Sequence, residues 1–208
     1  MSTYPQFTRG PSGGKGKSSS IRGVIRRLDE LWEAAPLAFW LVLAACVYFA
    51  VMAVRLTIID VRHHLLPNRI VFPSYAVAGV LLAAAAVVCA LAGAWTLPAG
   101  PEGAAALFGV PALRIMAGGA VLWAFYFVLR LAYPPGMGFG DVKLAGVLGM
   151  YLGYLGWTHI FAATFGAFLL GGLWSLALLA ARRGTLKSSI PFGPFMLAGA
   201  AAAMLLPA

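Results

Sequence analysis

The stretch LAGVLGMYLGYLGWTHIFAATFGAFLLGGLWSLALLAA, residues 144–181, contains no aspartate, glutamate, lysine or arginine. A helix needs about 20 predominantly apolar residues to cross a bilayer. The stretch is therefore long enough for two membrane spans joined by a tight turn near GYLGW, residues 153–157. Within it, GMYLG at residues 149–153 has the GxxxG spacing that lets transmembrane helices pack closely.

Further uncharged runs lie on both sides of this stretch, and the whole chain is 62% hydrophobic and only 10% charged. Ordinary soluble domains are about 25% charged. The runs predict an all-α membrane protein, a polytopic bundle of about six transmembrane helices over residues 35–208, preceded by a polar basic tail over residues 1–34. Because hydrophobicity continues to the C-terminus, we do not expect a secretory signal followed by a soluble domain. The expected helices lie near residues 35–59, 70–93, 108–133, 141–156, 159–181 and 190–207.

Basic residues alternate between the loops of this arrangement. Lysine or arginine occurs in loop 60–69, in the stretch 130–143 as Arg130 and Lys143, and in loop 182–187, whereas loops 94–110 and 156–158 carry neither. Lysine and arginine concentrate in the cytoplasmic loops of membrane proteins. We therefore expect loops 60–69, 134–141 and 182–190 to face the cytoplasm.

The N-terminal tail does not follow this pattern. Residues 1–34 carry six basic and three acidic residues, yet the loop pattern places them outside. Either the downstream loops outweigh the tail, which we favour, or the tail stays inside and the first helix is re-entrant. Residues 8–20 have the composition of a disordered segment, and residues 21–33 fit an amphipathic helix on the membrane surface. The tail is too short for nucleic-acid binding and carries no motif for it.

Three acidic residues occur from residue 34 onward: Asp60, Glu102 and Asp141. Glu102 lies between glycines and a proline in a predicted outer loop, and is interpreted as a solvated charge. Asp60 ends the first predicted helix after VRLTIID, and Asp141 opens the fourth after GMGFG. Both would lie at the cytoplasmic ends of their helices. A carboxylate in or near a bilayer is costly and usually serves a function.

A structural role is open for either aspartate taken alone. Asp60 could pair with Arg55 or Arg62, and Asp141 could cap the helix that it begins. Two carboxylates a few ångströms apart cannot both ionise cheaply, so a close pair would share one proton and hold a water molecule. The charged member would take a proton from that water while the neutral member donates one to a peptide carbonyl. This is how aspartic proteases hydrolyse an amide.

Metal chemistry is not expected. Cys46 and Cys89 lie in apolar runs without CxxC spacing. His63 and His64 are adjacent, so on a helix they would point about 100° apart. His159 begins an apolar helix, where a position at the membrane interface is expected.

GFGD at residues 138–141 matches the GxGD motif of intramembrane aspartyl proteases, and Lys143 lies two residues after its aspartate. In IDVRHHLLPNRIV, residues 59–71, Asp60 is followed by a basic loop and the Pro67-Asn68 pair. SIPFGPF at residues 189–195 contains Pro191 and Gly193. Together and in this order, the three segments resemble the two aspartate segments and the entry to the last helix of the type IV prepilin peptidases, family A24, including the short forms that serve Flp-type pili.

The resemblance implies an aspartic endopeptidase of the inner membrane, with Asp60 and Asp141 as its catalytic pair. It implies a prepilin or pseudopilin substrate, cut at the cytoplasmic face after the glycine that ends a short basic leader and precedes a hydrophobic helix. Gly138 and Gly140 would let the backbone approach the substrate or let the loop move. Lys143 would orient the site or meet lipid phosphate. Anionic lipid is the expected partner of the basic loops. The leader of the substrate is itself basic, so it is not expected to bind them.

Two features depart from the family pattern. The chain lacks the insert with paired CxxC motifs found in longer relatives, and it has no glycine-rich nucleotide motif. Methylation of the product with S-adenosylmethionine is therefore in doubt, and no cofactor is expected. Two other functions fit the same aspartates: a small proton-coupled transporter, and a non-catalytic membrane assembly component in which they only cap helices. Against the transporter, the chain shows no matched halves with broken helices.

Overall fold

A computed structural model describes residues 35–63, 66–92, 110–134, 137–181 and 191–206, together with residues 22, 25, 29, 32 and 33. No strand occurs in these ranges, and the predicted all-α membrane bundle is confirmed. The helices are α1 (Pro36–His63), α2 (Asn68–Leu91), α3 (Pro111–Ala132), α4 (Phe139–Leu155), α5 (Trp157–Ala180) and α6 (Gly193–Met204).

Four of the described helices, α1, α2, α3 and α5, are long and apolar enough to cross a membrane. α4 has 17 residues and α6 only 12, so α6 extends about 18 Å. The predicted span at 190–207 is therefore too long. Pro194 lies in the first turn of α6, where proline is favoured, whereas a start at residue 190 would put it in the helix interior, where it removes a hydrogen bond and clashes.

α1 extends beyond its predicted end. It continues to His63, because residues 60–63 contain no proline or glycine that would end it. Asp60 consequently lies within the last turn of α1 rather than at its end. The helix is continuous over 28 residues, about 42 Å, which favours a full span over a re-entrant segment.

Several predictions concern residues outside the described ranges. These are the tail segment 8–20, Glu102 with most of loop 94–110, and the basic loop 182–190. In the predicted amphipathic segment, residues 22, 25, 29, 32 and 33 are helical. The side of the membrane on which the tail lies stays a prediction.

α4 is the central helix of the bundle. Thirteen of its 17 residues are buried, and it packs against α2, α3, α5 and α6. Tyr151 also reaches α1, where its hydroxyl donates a hydrogen bond to the carbonyl of Ala45 at 3.0 Å. Large apolar side chains are exposed instead on the outer faces of the other helices, as expected for a surface in contact with lipid.

Glycines bring α4 against α3. A Cβ atom on Gly149 would overlap the backbone of Gly118, and one on Gly153 would overlap the carbonyl of Arg114. The GxxxG expectation for residues 149–153 is confirmed by this close approach. The side chain of Arg114 then donates hydrogen bonds to the carbonyls of Gly153 (3.1 Å) and Tyr154 (3.0 Å), which the C-terminus of α4 leaves without helical partners.

The bundle has two chemically different ends. The last turn of α1 and the first turns of α2, α4 and α6 lie at one end, here called the aspartate end. At the opposite end, His159 is buried among the helices, and its position at the membrane interface stays a prediction. Its Nε2 lies 3.4 Å from the carbonyl oxygen of Leu206 and its Nδ1 lies 3.4 Å from Oγ1 of Thr158. His159 therefore has no part in the aspartate site.

Candidate active site

The side chains of Asp60 and Asp141 meet at the first residue of α6. The position of a Cβ atom on Gly193 is 2.7 Å from Oδ2 of Asp60 and 3.7 Å from Oδ1 of Asp141. Oδ2 of Asp60 and Oδ1 of Asp141 are therefore no farther apart than the sum of these two distances. At this separation the two carboxyl groups interact electrostatically. Both side chains are buried, with 5% of Asp60 and 7% of Asp141 exposed.

The backbone at the start of α4 holds Asp141 in place. The N–H of Gly138, the N-cap residue, donates to Oδ2 of Asp141 at 3.2 Å, and the N–H of Asp141 donates to the carbonyl of Gly138 at 3.2 Å. A carboxylate in the first turn is also favoured by the helix dipole. Asp141 therefore caps its helix with one oxygen while the other faces Asp60.

Asp60 reaches the same place from the last turn of α1. Its side chain is buried, whereas the predicted partners Arg55 and Arg62 are exposed. The C-terminal end of a helix disfavours negative charge, so Asp60 does not act as a cap. The two carboxyl groups thus lie in opposite helix-dipole fields.

Two glycines make the meeting of these elements possible. A Cβ atom on Gly140 would lie 2.6 Å from Cβ of Leu66, in the connection between α1 and α2. A Cβ atom on Gly193 would lie against Asp60, as described above. Glycine at both positions therefore lets the starts of α4 and α6 approach the end of α1.

The two predicted prolines lie beside the site, near the starts of helices. The carbonyl of Pro67, the N-cap residue of α2, accepts hydrogen bonds from the N–H groups of Ile70 (3.1 Å) and Val71 (3.3 Å). Pro191 is half-buried, two residues before α6 begins at Gly193. Pro67 thus caps the start of α2, whereas the carbonyl of Phe192 accepts the corresponding hydrogen bonds at the start of α6.

Lys143 points away from the aspartates, towards α2. Its Nζ donates a hydrogen bond to Oδ1 of Asn68 at 2.9 Å. The same ammonium group lies 5.0 Å from the ring centroid of Phe72 and 4.9 Å from that of Phe139, within the range of cation–π contacts. Lys143 and Asn68 therefore join α4 to α2 beside the site.

Sequence reasoning missed two residues of α3. Arg130, which the sequence indicates only as a basic residue near a loop, donates a hydrogen bond to the carbonyl of Met137 at 2.6 Å and lies over the ring of Phe139 at 5.3 Å. Tyr126 is 1% exposed and lies close enough to Asp141 to interact with its charge. A tyrosine and an arginine at the end of an apolar helix carry no sequence signal for such contacts.

The described residues contain no group of three or more histidine, cysteine, aspartate or glutamate side chains that could hold a metal ion. Cys89 is buried and Cys46 is exposed on α1. Among the described residues of the aspartate end, the two buried carboxyl groups lie closest to Gly193.

These features define a polytopic membrane protein with a paired-aspartate site. A model of the Type IV leader peptidase family matches residues 46–176, which is more than half of the chain, and the chain belongs to this family. The match includes both aspartates and ends before α6.

Similar proteins carry the name prepilin leader peptidase/N-methyltransferase. Those of Aeromonas salmonicida and Aeromonas hydrophila are each 31% identical over 158 residues, 76% of this chain and 47% of the relative. That of Burkholderia pseudomallei is 35% identical over 94 residues, 43% of this chain and 28% of the relative. The chain thus spans about half the length of the Aeromonas relatives. No solved structure matches it at a significant level.

Proposed function

We propose that the chain is an intramembrane aspartic endopeptidase that cleaves prepilin-like or pseudopilin-like substrates after the glycine ending their basic leader. The observation that carries the proposal is the approach of Asp60 Oδ2 and Asp141 Oδ1 to one point beside Gly193. Membership of the Type IV leader peptidase family and the names of the relatives support the choice of substrate.

The two carboxyl groups share one proton and hold the attacking water. The ionised carboxylate takes a proton from this water as its oxygen attacks the scissile carbonyl carbon, and the neutral carboxyl donates its proton to the carbonyl oxygen. The tetrahedral intermediate then collapses: one of its two hydroxyl groups returns a proton to the carboxylate as the C–N bond breaks, and the leaving amine takes a proton from the neutral carboxyl, so that the pair again holds one proton. The N–H of Gly138 keeps Oδ2 of Asp141 in place, so that Oδ1 is free for this exchange.

The distribution of charge supports cleavage at the cytoplasmic face of the inner membrane. The aspartate end and its neighbouring turns carry four basic residues, Arg62, Arg69, Arg130 and Lys143. Basic residues favour the cytoplasmic side of a membrane. The basic leader of the substrate would then be in the cytoplasm as well. The exposed arginines are suited to anionic lipid headgroups.

Methyl transfer is not part of the proposal. The names of the relatives include an N-methyltransferase activity, and S-adenosylmethionine would be its cofactor. In the described part of the chain, the groove between α2, α3 and α4 has Lys143 as its only charged lining residue, whereas ribose hydroxyls are commonly held by a carboxylate. Among the described residues, the buried acids are Asp60 and Asp141, which form the aspartate pair. These residues do not fit the cofactor.

The cap formed by Asp141 is the observation that favours a non-catalytic assembly component. It does not account for Asp60, which is buried at a helix end where a negative charge is disfavoured. No comparable observation favours a proton-coupled transporter. Hydrolysis uses both aspartates and is the better explanation.

The test is cleavage of a candidate prepilin in proteoliposomes by the wild type and by the Asp60→Asn and Asp141→Asn variants. Each variant should insert normally and lose processing, because an amide cannot exchange the required proton. Asp29→Asn is the matched control, since Asp29 is exposed on the N-terminal segment, and it should cleave normally. Normal processing by either dyad variant would refute the mechanism. Proton flux by a wild type that does not cleave would favour the transporter.

A further inference from the structure

An open apolar groove with a volume of about 790 Å³ lies between α2, α3 and α4. One wall is formed by α2 and the other by α3, and Met150 of α4 forms the floor. Neither Asp60 nor Asp141 lines it, so the hydrolytic chemistry leaves it unexplained. The walls include Phe72, Ala76 and Val80 on α2, and Met116, Ala120 and Trp123 on α3.

The groove begins at the first turn of α4, across this helix from the aspartate pair. Its rim at that end is formed by Phe139 and Lys143, which lie two residues before and two residues after Asp141. From there the α2 wall continues from Phe72 to Val80, a distance of about 12 Å along a helix. An elongated apolar ligand in the groove would thus have one end at the turn of α4 that also carries Asp141, and a few extended residues would reach from there to the aspartate pair.

Small residues give the groove its depth. A Cβ atom on Gly119 would lie 2.9 Å from Cγ of Met150, and one on Gly79 would lie 3.1 Å from its Cε, so both glycines lie directly against the floor. Ala76 and Ala120 are exposed on the walls beside them. Surfaces on which transmembrane helices pack are enriched in such small residues. This surface is therefore suited to a further helix.

The charge on the rim argues against a polar or phosphate-bearing ligand. Lys143 is the only charged residue of the lining, and its ammonium group is already engaged by Asn68 and by the rings of Phe72 and Phe139. Tyr75 also lines the groove, but its hydroxyl donates to the carbonyl of Lys143 at 2.6 Å, and the other lining residues are apolar. A uniformly apolar helix fits it better than an anionic lipid headgroup does.

We propose that this groove receives the hydrophobic helix of the substrate, which follows the scissile bond. The inference rests on the proposed function, because that function supplies a substrate whose apolar helix begins just after the cleaved glycine. A helix in the groove with its N-terminal end at Phe139 and Lys143 brings that bond to the start of α4. The basic leader then extends away from the groove, past the aspartate pair.

Kinetics with two substrates test the proposal. Ala76→Trp and Ala120→Trp fill the groove from exposed wall positions, and should raise KM for a prepilin with its helix roughly tenfold or more while kcat is kept. A short peptide with the leader and glycine but no helix should be cleaved by both variants as by the wild type. Ala50→Trp, at an exposed position on α1, is the matched control and should change neither substrate's kinetics.

Cross-linking provides a readout that does not require cleavage. p-Benzoylphenylalanine in place of Val80, which is 67% exposed in the groove wall, should cross-link the substrate helix in an Asp141→Asn background. The same photoreactive residue in place of Val54, 60% exposed on α1, should not. If the substrate helix cross-links at position 80 but the wild-type protein does not cleave it, the groove proposal is supported and the proposed function is refuted.

Four outcomes would overturn the groove proposal. The first is an unchanged KM for the helical substrate in both tryptophan variants, and the second is an equal loss of cleavage with the helical and the helix-free substrates. The third is cleavage without any cross-link at position 80. The fourth is a cross-link at position 80 that joins only lipid or a second copy of the chain when substrate is present.

Discussion

Gly193 lies against the carboxyl group of Asp60 so closely that a Cβ atom in its place would be 2.7 Å from Oδ2. The contact joins the first residue of α6 to the last turn of α1, and it leaves room for the carboxyl group of Asp141 on the same side. The atom that would be displaced is the end of a short side chain rather than backbone. A methyl group there would consequently turn Asp60 away without unfolding the bundle.

Gly193→Ala should therefore lower cleavage by roughly 100-fold, the scale expected when a catalytic group is displaced by about 1 Å, with little change in thermal stability. The measurement is prepilin cleavage alongside a melting curve in detergent. Gly172→Ala is the matched control, because a Cβ atom on Gly172 would meet nothing within 4 Å. Wild-type cleavage by Gly193→Ala would show that the position of Asp60 beside Gly193 does not matter.

Tyr126→Phe should change the pH dependence of cleavage, since the hydroxyl of Tyr126 lies within electrostatic range of Asp141. A pair that must hold one proton has a bell-shaped profile, whose two limbs belong to the pair rather than to either residue. Removing a neighbouring hydroxyl should shift these limbs while the fold is kept. The measurement is kcat/KM of helix-bearing substrate as a function of pH.

Tyr151→Phe is the control for that experiment. Its hydroxyl donates to the carbonyl of Ala45, away from the aspartates, so its loss should cost about 1–3 kcal/mol of stability and leave the pH profile unchanged. Identical pH profiles for Tyr126→Phe and the wild type would rule out a functional contact with Asp141.

The contact between Lys143 and Asn68 should be measurable as a coupling energy. Lys143→Met keeps the apolar stem and Asn68→Ala removes the acceptor, so a double-mutant cycle isolates their interaction. Because the pair is exposed, we expect about 0.5–1 kcal/mol. The coupling should be the same with and without anionic lipid. A coupling that appears only with anionic lipid would assign Lys143 to lipid phosphate instead.

Gly149→Ala should weaken the packing of α4 on α3. The added Cβ atom would overlap the backbone of Gly118, which cannot turn aside as a side chain can, so we expect a loss of about 1–3 kcal/mol. Gly166→Ala is the control, because its Cβ atom would make an ordinary contact of 3.6 Å with Cα of Gly199. The measurement is reversible unfolding in mixed micelles, and equal stabilities of the two variants would contradict the close approach.

Much of this architecture could be read from apolar runs, but helix ends were less predictable. The start of α6 depends on where Pro194 is tolerated, and the end of α1 depends on the absence of a breaker between Asp60 and His63. Both are local matters that a count of apolar residues does not resolve. The aspartates themselves stood out because acids are so rare in this composition.

The sequence alone determined that the chain is a helical membrane bundle and which two acids lie at its helix ends. Transfer of a long apolar run into lipid depends on the residues of that run and not on its neighbours. Only the tertiary structure decided that Gly193 lies against Asp60, that Tyr126 lies near Asp141, and that Lys143 turns towards Asn68. In a helix that is apolar on nearly every side, periodicity does not distinguish the buried face from the lipid face. Rotation about each helix axis is set by packing between helices, through contacts such as those of Gly149 with Gly118.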